Sequence, residues 1–310
     1  MKLSICIVTD SQKELLKDCL ESIYKFKPKC SFEIWVVDNA SENKIFKMVQ
    51  KNFPSVKLIV NKEKYGFSKN NNLALRRCSG EYILILNDDT LILNDAINKM
   101  IKFIDEREDI GAAGLKQYYR NRKVQYITGR NLPSLETYIY RKLFLDKLFP
   151  KSKIFGKLNM SYWDHLTSRE VKALSGACMF VRNEVLEKVG YFDENFKFYY
   201  EDIDLCRRFG ESGFKLYYNT DCEIMHFQGM SIGRRMKARG KIEEFRSAVY
   251  YFKKYGELKY YWLMKFLDIF SNILKIPVFL FINPYNSYEF MKVVIWHLRH
   301  LKRESVLRDS

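Results

Sequence analysis

The 310-residue chain is long enough for one large domain or for one domain with an appendage, and 47% of its residues are hydrophobic. Its 53 lysines and arginines exceed its 37 aspartates and glutamates, which gives a formal net charge of +16 and indicates a polyanionic partner. No nucleic-acid-binding module is recognisable, so an anionic membrane surface or a phosphate-bearing substrate is expected instead. No uncharged apolar run reaches about 18 residues, so no segment is expected to span a membrane.

The seven cysteines are odd in number and show no zinc-site spacing. No signal peptide precedes Leu3. Reduced thiols in a cytoplasmic protein are therefore expected.

Short apolar runs alternate with segments of helical periodicity over the first 115 residues. Strands are predicted at residues 2–9, 33–37, 56–60, 82–86 and 110–115. Helices are predicted at residues 11–24, 45–53, 69–78 and 95–104. This alternation predicts an α/β fold with a mostly parallel central sheet flanked by helices.

The pattern loosens at residues 116–170 into a basic, tyrosine-rich insertion. It becomes regular again with a strand-like run at 171–181, helices at 183–189 and 205–212, and short strands at 215–218 and 223–226. From about Met236 the chain is helical, basic and aromatic, which suits an interfacial helix on an anionic bilayer. Alternatively, these helices pack on the preceding domain or form a dimer contact.

The strand at 82–86 runs directly into Asn87-Asp88-Asp89. Buried carboxylates are costly unless they are paired or bound to a cation, so this strand end is either a solvated turn or a metal site. Polar groups also follow the strands that end at Thr9 and Asp38, and parallel strands open their carboxyl ends onto one edge, where a nucleotide binds. Asp38 could accept the imide N–H of uracil or thymine, and the acids at 88–89 could bind Mg²⁺ or Mn²⁺.

An ordered set of motifs resembles the family-2 glycosyltransferases of GT-A fold, and within them a bacterial branch of rhamnosyl- and related transferases that assemble cell-surface polysaccharides. The resemblance covers about residues 3–231. Its motifs are Ile7-Val8-Thr9, Val36-Val37-Asp38-Asn39-Ala40-Ser41, Gly66-Phe67 with Asn71-Asn72, Leu86-Asn87-Asp88-Asp89-Thr90, Ser175-Gly176-Ala177, Tyr200-Glu201-Asp202-Ile203-Asp204-Leu205 and His226.

The resemblance implies a role for each matching residue. The catalytic base is Asp202, and the metal or diphosphate site is formed by Asp89 and His226. Asp88 stands where this branch usually has proline and is placed with the donor site. The other donor-site residues are Thr9, Asp38, Asn39, Gly66 and Asn72. The acceptor side is assigned to Gly176, Ala177, Tyr200 and Glu201.

The implied activity is metal-dependent, inverting transfer of one sugar from dTDP-rhamnose or a UDP-sugar to a cell-envelope or lipid-linked glycan. A GT-A catalytic domain is expected at 1–235, with 116–170 as an acceptor region, and a helical membrane-associating region at 236–310. The expected location is the cytoplasm, peripheral on the inner face of the cell membrane. The alternatives are a sugar-1-phosphate nucleotidyltransferase and a non-catalytic basic membrane scaffold.

Overall fold

The structure, a computed structural model, describes residues 1–10, 12–41, 44–227 and 238–300. Two sequence-based expectations fall outside these ranges. They are the start of the first predicted helix at Ser11 and the predicted domain boundary between residues 235 and 236.

The described strands follow the alternation expected from the sequence. They are β1 (Leu3–Thr9), β2 (Phe32–Asp38), β3 (Lys57–Val60), β4 (Tyr82–Asn87), β5 (Thr90–Ile92), β6 (Ile110–Tyr118), β7 (Gly129–Arg130), β8 (Arg169–Val171), β9 (Ala173–Leu174), β10 (Cys178–Arg182) and β11 (Lys215–His226).

The described helices mostly have one buried face. They are α1 (Lys13–Lys25), α2 (Lys44–Asn52), α3 (Phe67–Leu75), α4 (Ala96–Asp105), α5 (Leu135–Lys142), α6 (Leu145–Leu148), α7 (Asn183–Val189), α8 (Glu201–Glu211), α9 (Ala238–Lys254), α10 (Tyr261–Ile282) and α11 (Pro284–Arg299). A 3₁₀ turn occupies Leu258–Tyr260.

The chain divides into two compact units. The first comprises Met1–Leu132, Asp164–Glu194 and the described residues from Glu201 to Phe227, and it contains the strands together with α1–α4, α7 and α8. The second comprises Pro133–Trp163, Asn195–Tyr200 and the described residues from Ala238 onward. The domain limits 1–235 and 236–310 stay a prediction.

The first unit is built on a mixed but largely parallel sheet with strand order β3-β2-β1-β4-β10-β6-β11-β5, and β8 pairs with the β11 edge. Strands β1 to β4 pair in parallel, and β10 inserts antiparallel between β4 and β6. The expectation of an α/β fold with a mostly parallel sheet is confirmed. Because β1, β2 and β4 are parallel neighbours, their carboxyl ends lie at one edge.

Helix α1 shows how the sequence pattern becomes packing. Leu16, Cys19, Leu20 and Ile23 recur at helical spacing and are fully buried in the sheet's core. The two short strands expected at 215–218 and 223–226 are one strand, β11. The polar residues that suggested a break between two strands lie at an irregularity of the β11–β6 pairing between Asn219 and Glu223.

The second unit is helical. Its longest members are α9, α10 and α11, and α10 contains Pro277. Among the helices that the structure describes, none combines the length and apolar character needed to cross a bilayer.

Candidate active site

Three strand ends in the first unit meet at one edge of the sheet. Thr9 lies opposite Asp38, and Val8 lies opposite Asn87, in parallel register. The backbone N–H of Asn39 also donates to the carbonyl of Thr9 over 3.0 Å. The polar side chains at these ends therefore share one edge, as the sequence pattern predicts.

The Asp38 carboxylate has one engaged oxygen and one open oxygen. Its Oδ1 accepts from the backbone N–H of Ser41 over 3.0 Å and from the Ser41 hydroxyl. The side chain is fully buried, and its Oδ2 has no hydrogen-bond partner among the described residues. A buried acceptor oxygen without a donor is costly unless a ligand satisfies it, so Oδ2 fits an N–H donated by a bound molecule.

Asn39 holds the segment that precedes α3. Its Oδ1 accepts from the backbone N–H of Tyr65 over 2.8 Å, and its Nδ2 donates to the Tyr65 carbonyl over 3.2 Å. Gly66 follows directly and its carbonyl accepts from Asn70 at the first turn of α3. The side-chain amide of Asn39 thus holds the backbone of Tyr65, which places Gly66 close to the end of β2.

Asn72 lies on α3 and its amide is engaged in the protein. It donates to the carbonyl of Phe192 over 2.8 Å and to Glu194 over 2.9 Å, and it accepts from the backbone N–H of Phe192 over 3.1 Å. The side chain is 1% exposed. Asn72 therefore tethers the loop after α7 to α3.

Asp88 and Asp89 are both buried at the end of β4. Burial raises the pKa of Asp88 to about 7, the hydroxyl of Thr9 opposes this rise, and the charges of Asp89 and Asp10 add to it. Its Oδ2 has no hydrogen-bond partner within the described chain. A buried acid with a raised pKa and an oxygen without a donor would be stabilised by a cation or by a donor on a ligand.

His226 faces Asp89 from β11, which pairs with β5 so that His226 lies opposite Thr90. Its Nε2 lies 3.3 Å from Asp89 Oδ1, and its Nδ1 lies 3.2 Å from Gln125 Oε1. Gln125 Nε2 donates to the carbonyls of His226 and Tyr118, which fixes the amide orientation. Gln125 Oε1 therefore accepts a hydrogen bond from Nδ1–H, which leaves Nε2 as the ring nitrogen that faces the Asp89 carboxylate.

This arrangement fits a divalent cation held partly by substrate. A carboxylate oxygen and an imidazole nitrogen that lie this close together can both ligate one cation, and Asp89 Oδ1 and His226 Nε2 supply one oxygen and one nitrogen. Over the described ranges no group of three or more His, Cys, Asp or Glu side chains is arranged to hold a metal ion by itself. Mg²⁺ and similar ions commonly use one or two protein ligands with waters and substrate phosphates, so two protein ligands suffice.

Asp202 lies in the first turn of α8 and is held on both oxygens. Its Oδ2 accepts from Arg130 Nη2 over 2.9 Å and from the backbone N–H of Gly176 over 3.1 Å. Its Oδ1 accepts from the backbone N–H of Ile203 over 2.8 Å. A carboxylate oxygen has two lone pairs, so Oδ1 retains capacity to accept a proton from a bound hydroxyl.

Glu201 lies next to Asp202 and differs from it in environment. Burial and the charge of Asp202 raise the pKa of Glu201 above its usual range, although Arg130 opposes the rise. Its Oε2 is buried and makes no hydrogen bond to the residues described. Adjacent carboxyl groups with opposed environments are typical of acid–base sites.

Hydrogen bonds connect the acidic motif to Asp202. The backbone N–H of Asn87 donates to the carbonyl of Ala177 over 2.9 Å. The backbone N–H of Gly176, which precedes Ala177, donates to the Asp202 carboxylate. The backbone N–H of Phe227 donates to the carbonyl of Asp89 over 2.9 Å, which joins β11 to the same motif. The first unit thus brings together the candidate metal ligands, the loop at Gly176 and Ala177, and Asp202.

Tyr200 is grouped differently from the other candidates. It belongs to the second unit, where its ring lies 5.4 Å from that of Tyr251, and its φ of 67° is unusual for a residue with a side chain. The acceptor role assigned to Tyr200 stays a prediction.

Sequence reasoning missed Arg130 and Gln125. Both lie in the loosely patterned segment 116–170, and Arg130 forms half of the two-residue strand β7, too short to produce a periodic signal. Only the pairing of β7 with β9 brings Arg130 to the loop that contacts Asp202.

Comparison with known proteins decides the family. Residues 4–190 match the model described as Glycosyl transferase family 2. The chain belongs to this family. It is 25% identical to rhamnosyltransferase WbbL of Escherichia coli K12 over 232 residues, 72% of this chain and 82% of that protein. The resemblance to family-2 glycosyltransferases with rhamnosyltransferase-like relatives is confirmed.

Other relatives match over shorter shares. The chain is 40% identical over 68 residues, 22% of each protein, to an N-acetylglucosaminyl-diphospho-decaprenol L-rhamnosyltransferase of Mycobacterium tuberculosis. It spans only 27% and 18% of the length of two further curated relatives.

The fold of this glycosyltransferase-family chain is also found among solved structures. A mannosyltransferase from Pyrobaculum calidifontis, solved with GDP-Man and Mn²⁺, superposes with a TM-score of 0.56 at 15% identity, covering 98% of this chain and 81% of that one. The expected GT-A fold is confirmed.

Proposed function

We propose that this chain is an inverting, metal-dependent glycosyltransferase that moves one sugar from a nucleoside-diphosphate sugar to a glycan acceptor. The observation that carries the proposal is the backbone connection Asn87–Ala177 and Gly176–Asp202, which ties a candidate diphosphate-binding motif to a held carboxylate. A scaffold has no need for such a paired arrangement. Membership of family 2 supports the same reaction class.

The proposed reaction is a single displacement. The acceptor hydroxyl oxygen attacks the anomeric carbon while its proton passes to Asp202 Oδ1, the less engaged of the two oxygens. The bond from the anomeric carbon to the diphosphate oxygen breaks, and the electron pair leaves with the nucleoside diphosphate. One displacement inverts the anomeric configuration and forms no covalent enzyme intermediate.

The proposed cation is Mg²⁺ or Mn²⁺, and Asp89 and His226 would hold it. When bound, such an ion offsets the charge that develops on the departing diphosphate. Asp88 would lie beside it as part of the donor site. Mn²⁺ in the mannosyltransferase of the same fold supports the choice of a divalent ion.

The proposed donor is dTDP-rhamnose or a UDP-sugar. Asp38 Oδ2 is a buried hydrogen-bond acceptor without a partner among the described residues, which suits the imide N–H that thymine and uracil share. Thr9 and Asn39 would border the same base. The rhamnosyltransferase relatives support the first of these donors.

The proposed acceptor is a cell-envelope or lipid-linked glycan, with the chain acting at the cytoplasmic face of an anionic membrane. Gly176, Ala177 and Glu201 of the first unit would border the acceptor, and the acceptor role assigned to Tyr200 stays a prediction. The net charge of +16 supports an anionic surface, and a relative named for transfer to a diphospho-decaprenol substrate supports a lipid-linked acceptor.

The test is a panel of nucleotide sugars with Mn²⁺, with release of nucleoside diphosphate as the readout. Asp202→Asn should lower turnover by several orders of magnitude while the nucleotide still binds, because the proposed proton acceptor is lost and the residues of the donor site are unchanged. Asp109→Asn, a change at an exposed carboxylate, is the matched control and should be silent. Pyrophosphate release from a nucleoside triphosphate, or no turnover with any donor, would contradict the proposal.

A second comparison tests the metal assignment. Asp89→Ala should abolish Mn²⁺-dependent donor binding, measured by calorimetry, whereas Asp88→Ala should weaken it less. Equal losses from the two substitutions would show that the assigned register of the motif is wrong.

A further inference from the structure

Helices α10 and α11 form an antiparallel hairpin whose outer face is apolar. Three hydrogen bonds between the helices fix the antiparallel pairing. They join Lys265 Nζ to the carbonyl of His300, His297 Nε2 to the Asp268 carboxylate, and the Ser287 hydroxyl to the carbonyl of Ile276. The large exposed apolar side chains of the hairpin are Trp262, Leu263, Phe266, Phe270, Ile273, Leu274, Val278, Leu280, Phe281 and Ile282 on α10, and Tyr285, Tyr288, Met291, Ile295 and Leu298 on α11. Trp262, Phe266 and Phe281 are 61%, 62% and 88% exposed.

Several polar side chains of the same helices lie inside the unit, whereas Lys292 and Arg299 of α11 are exposed. Asp268 is buried and bonds His297 Nε2 over 2.7 Å, Asn272 Nδ2 over 3.2 Å, and the ammonium of Lys142 on α5. Lys265 is also buried and donates to the carbonyl of His300 over 2.6 Å. The buried charges of Asp268 and Lys265 are therefore paired within the unit.

On α10 this pattern is the reverse of an amphipathic helix on a water-soluble protein, which buries its apolar stripe and exposes its charges. Monomers rarely expose contiguous apolar patches larger than a few hundred Å², so this face requires a partner that is apolar. In a lipid environment the polar groups must be satisfied within the protein, as Asp268 and Lys265 are.

The basic residues beside the apolar face favour an anionic bilayer over a second protein as its partner. An open cavity of about 660 Å³ in the second unit is bordered by Arg239, Arg246, Lys292 and Arg299, with Glu243 as its acidic member. Trp296 also borders it, and tryptophan favours the boundary between hydrocarbon and headgroup. Cations and an indole beside an apolar face match the anionic headgroups and acyl chains of a membrane.

We infer that the α10–α11 hairpin inserts its apolar face into one leaflet of an anionic bilayer, with the basic cavity beside it contacting headgroups. This deepens the proposed action at a membrane, because it names the inserted surface, and it does not depend on glycosyl transfer. The polar network around Asp268 then holds the two helices together at the depth of the acyl chains, where little water is present.

Vesicle binding tests the inference on the full chain. Phe266→Gln/Phe281→Gln should weaken binding to phosphatidylglycerol–phosphatidylethanolamine vesicles at least tenfold, because both side chains leave water on insertion. The matched control is Phe46→Gln/Leu166→Gln, which makes the same kind of change at exposed apolar positions of the first unit. All four positions are exposed, so neither variant should lose its fold.

Depth is measured by tryptophan quenching with lipids brominated in the acyl chains. Bound protein should be quenched, and Trp262→Phe should bind equally while losing most of that quenching. High salt should reduce binding only in part, since the apolar contribution is not screened.

Three results would overturn the inference: equal vesicle binding by the two double variants, complete release by salt, or a lipid-free dimer that the hairpin substitutions dissociate. Asp202→Asn separates the two proposals. It should lose turnover and bind vesicles as the unaltered chain does. In the unaltered chain, insertion without turnover would contradict the proposed function, and turnover without insertion would contradict this inference.

Discussion

The guanidinium of Arg130 and the carboxylate of Asp202 form a salt bridge of 2.9 Å in which the two side chains are 17% and 13% exposed. Arg130 also stabilises the short pairing of β7 with β9, so one residue joins an irregular loop to the first turn of α8. Removing one partner of such a partly desolvated pair leaves the other charge uncompensated. Arg130 is thus a positioning residue for the proposed base.

Replacing Arg130 should impair turnover more than donor binding. Arg130→Met should lower kcat about 100-fold, because a shift of the carboxylate of about 1 Å suffices for such a loss. The KM for the donor should change little, and Arg130→Lys should recover part of the rate. Steady-state kinetics with Arg120→Met, at an exposed arginine of the same unit, as control would decide this. A rise in donor KM at unchanged kcat would contradict a positioning role.

Gln125 sets the proton on His226 and should therefore tune cation affinity. Gln125→Leu removes the acceptor of Nδ1–H, and loss of such a supporting contact typically weakens metal binding about 10- to 100-fold. The half-saturating Mn²⁺ concentration should rise by that factor, as should the Mn²⁺ needed to raise the Tm. Gln50→Leu, on the exposed side of α2, is the control. An unchanged Mn²⁺ requirement would remove His226 from the proposed ligands.

The sequence predicted those parts of the site that depend on local pattern. Apolar runs followed by Thr9, Asp38 and Asn87 predict parallel strand ends, since burial on both faces requires such runs. Arg130 and Gln125 could not be predicted, because their partners lie 72 and 101 residues away in the chain and only the folded first unit brings them near. Such contacts depend on tertiary packing and leave no period in the chain.

Asn72 provides a test between a tethering role and direct contact with donor. Asn72→Ala leaves the buried N–H and carbonyl of Phe192 unpaired, so the free energy of unfolding should fall by about 2–4 kcal/mol. Urea denaturation measures this, with Asn52→Ala at an exposed position as control. An unchanged stability with a raised donor KM would favour direct contact instead.

Glu33 on β2 links three neighbouring segments through one buried carboxylate. It accepts from Ser4 Oγ and Lys57 Nζ, each over 2.7 Å, and from the backbone and hydroxyl of Ser79 over 2.9 Å. Burial by itself would raise its pKa, but these donors more than offset it and hold the pKa at about 2. The charged form is therefore the one that the fold favours.

Glu33 should make the stability of the first unit depend on pH in the acidic range. Its folded pKa lies below the ordinary 4.5, so its contribution is complete above about pH 4.5 and is lost as the pH falls toward 2. At pH 7, Glu33→Gln should lower the free energy of unfolding by about 2 kcal/mol, within the limit of about 3 kcal/mol set by the pKa shift. Urea denaturation at pH 7, 5 and 3 should show that difference shrinking, while Glu106→Gln, at an exposed carboxylate, changes little at any pH. A difference that stays constant from pH 7 to pH 3 would mean that the side chain acts by packing and not by its charge.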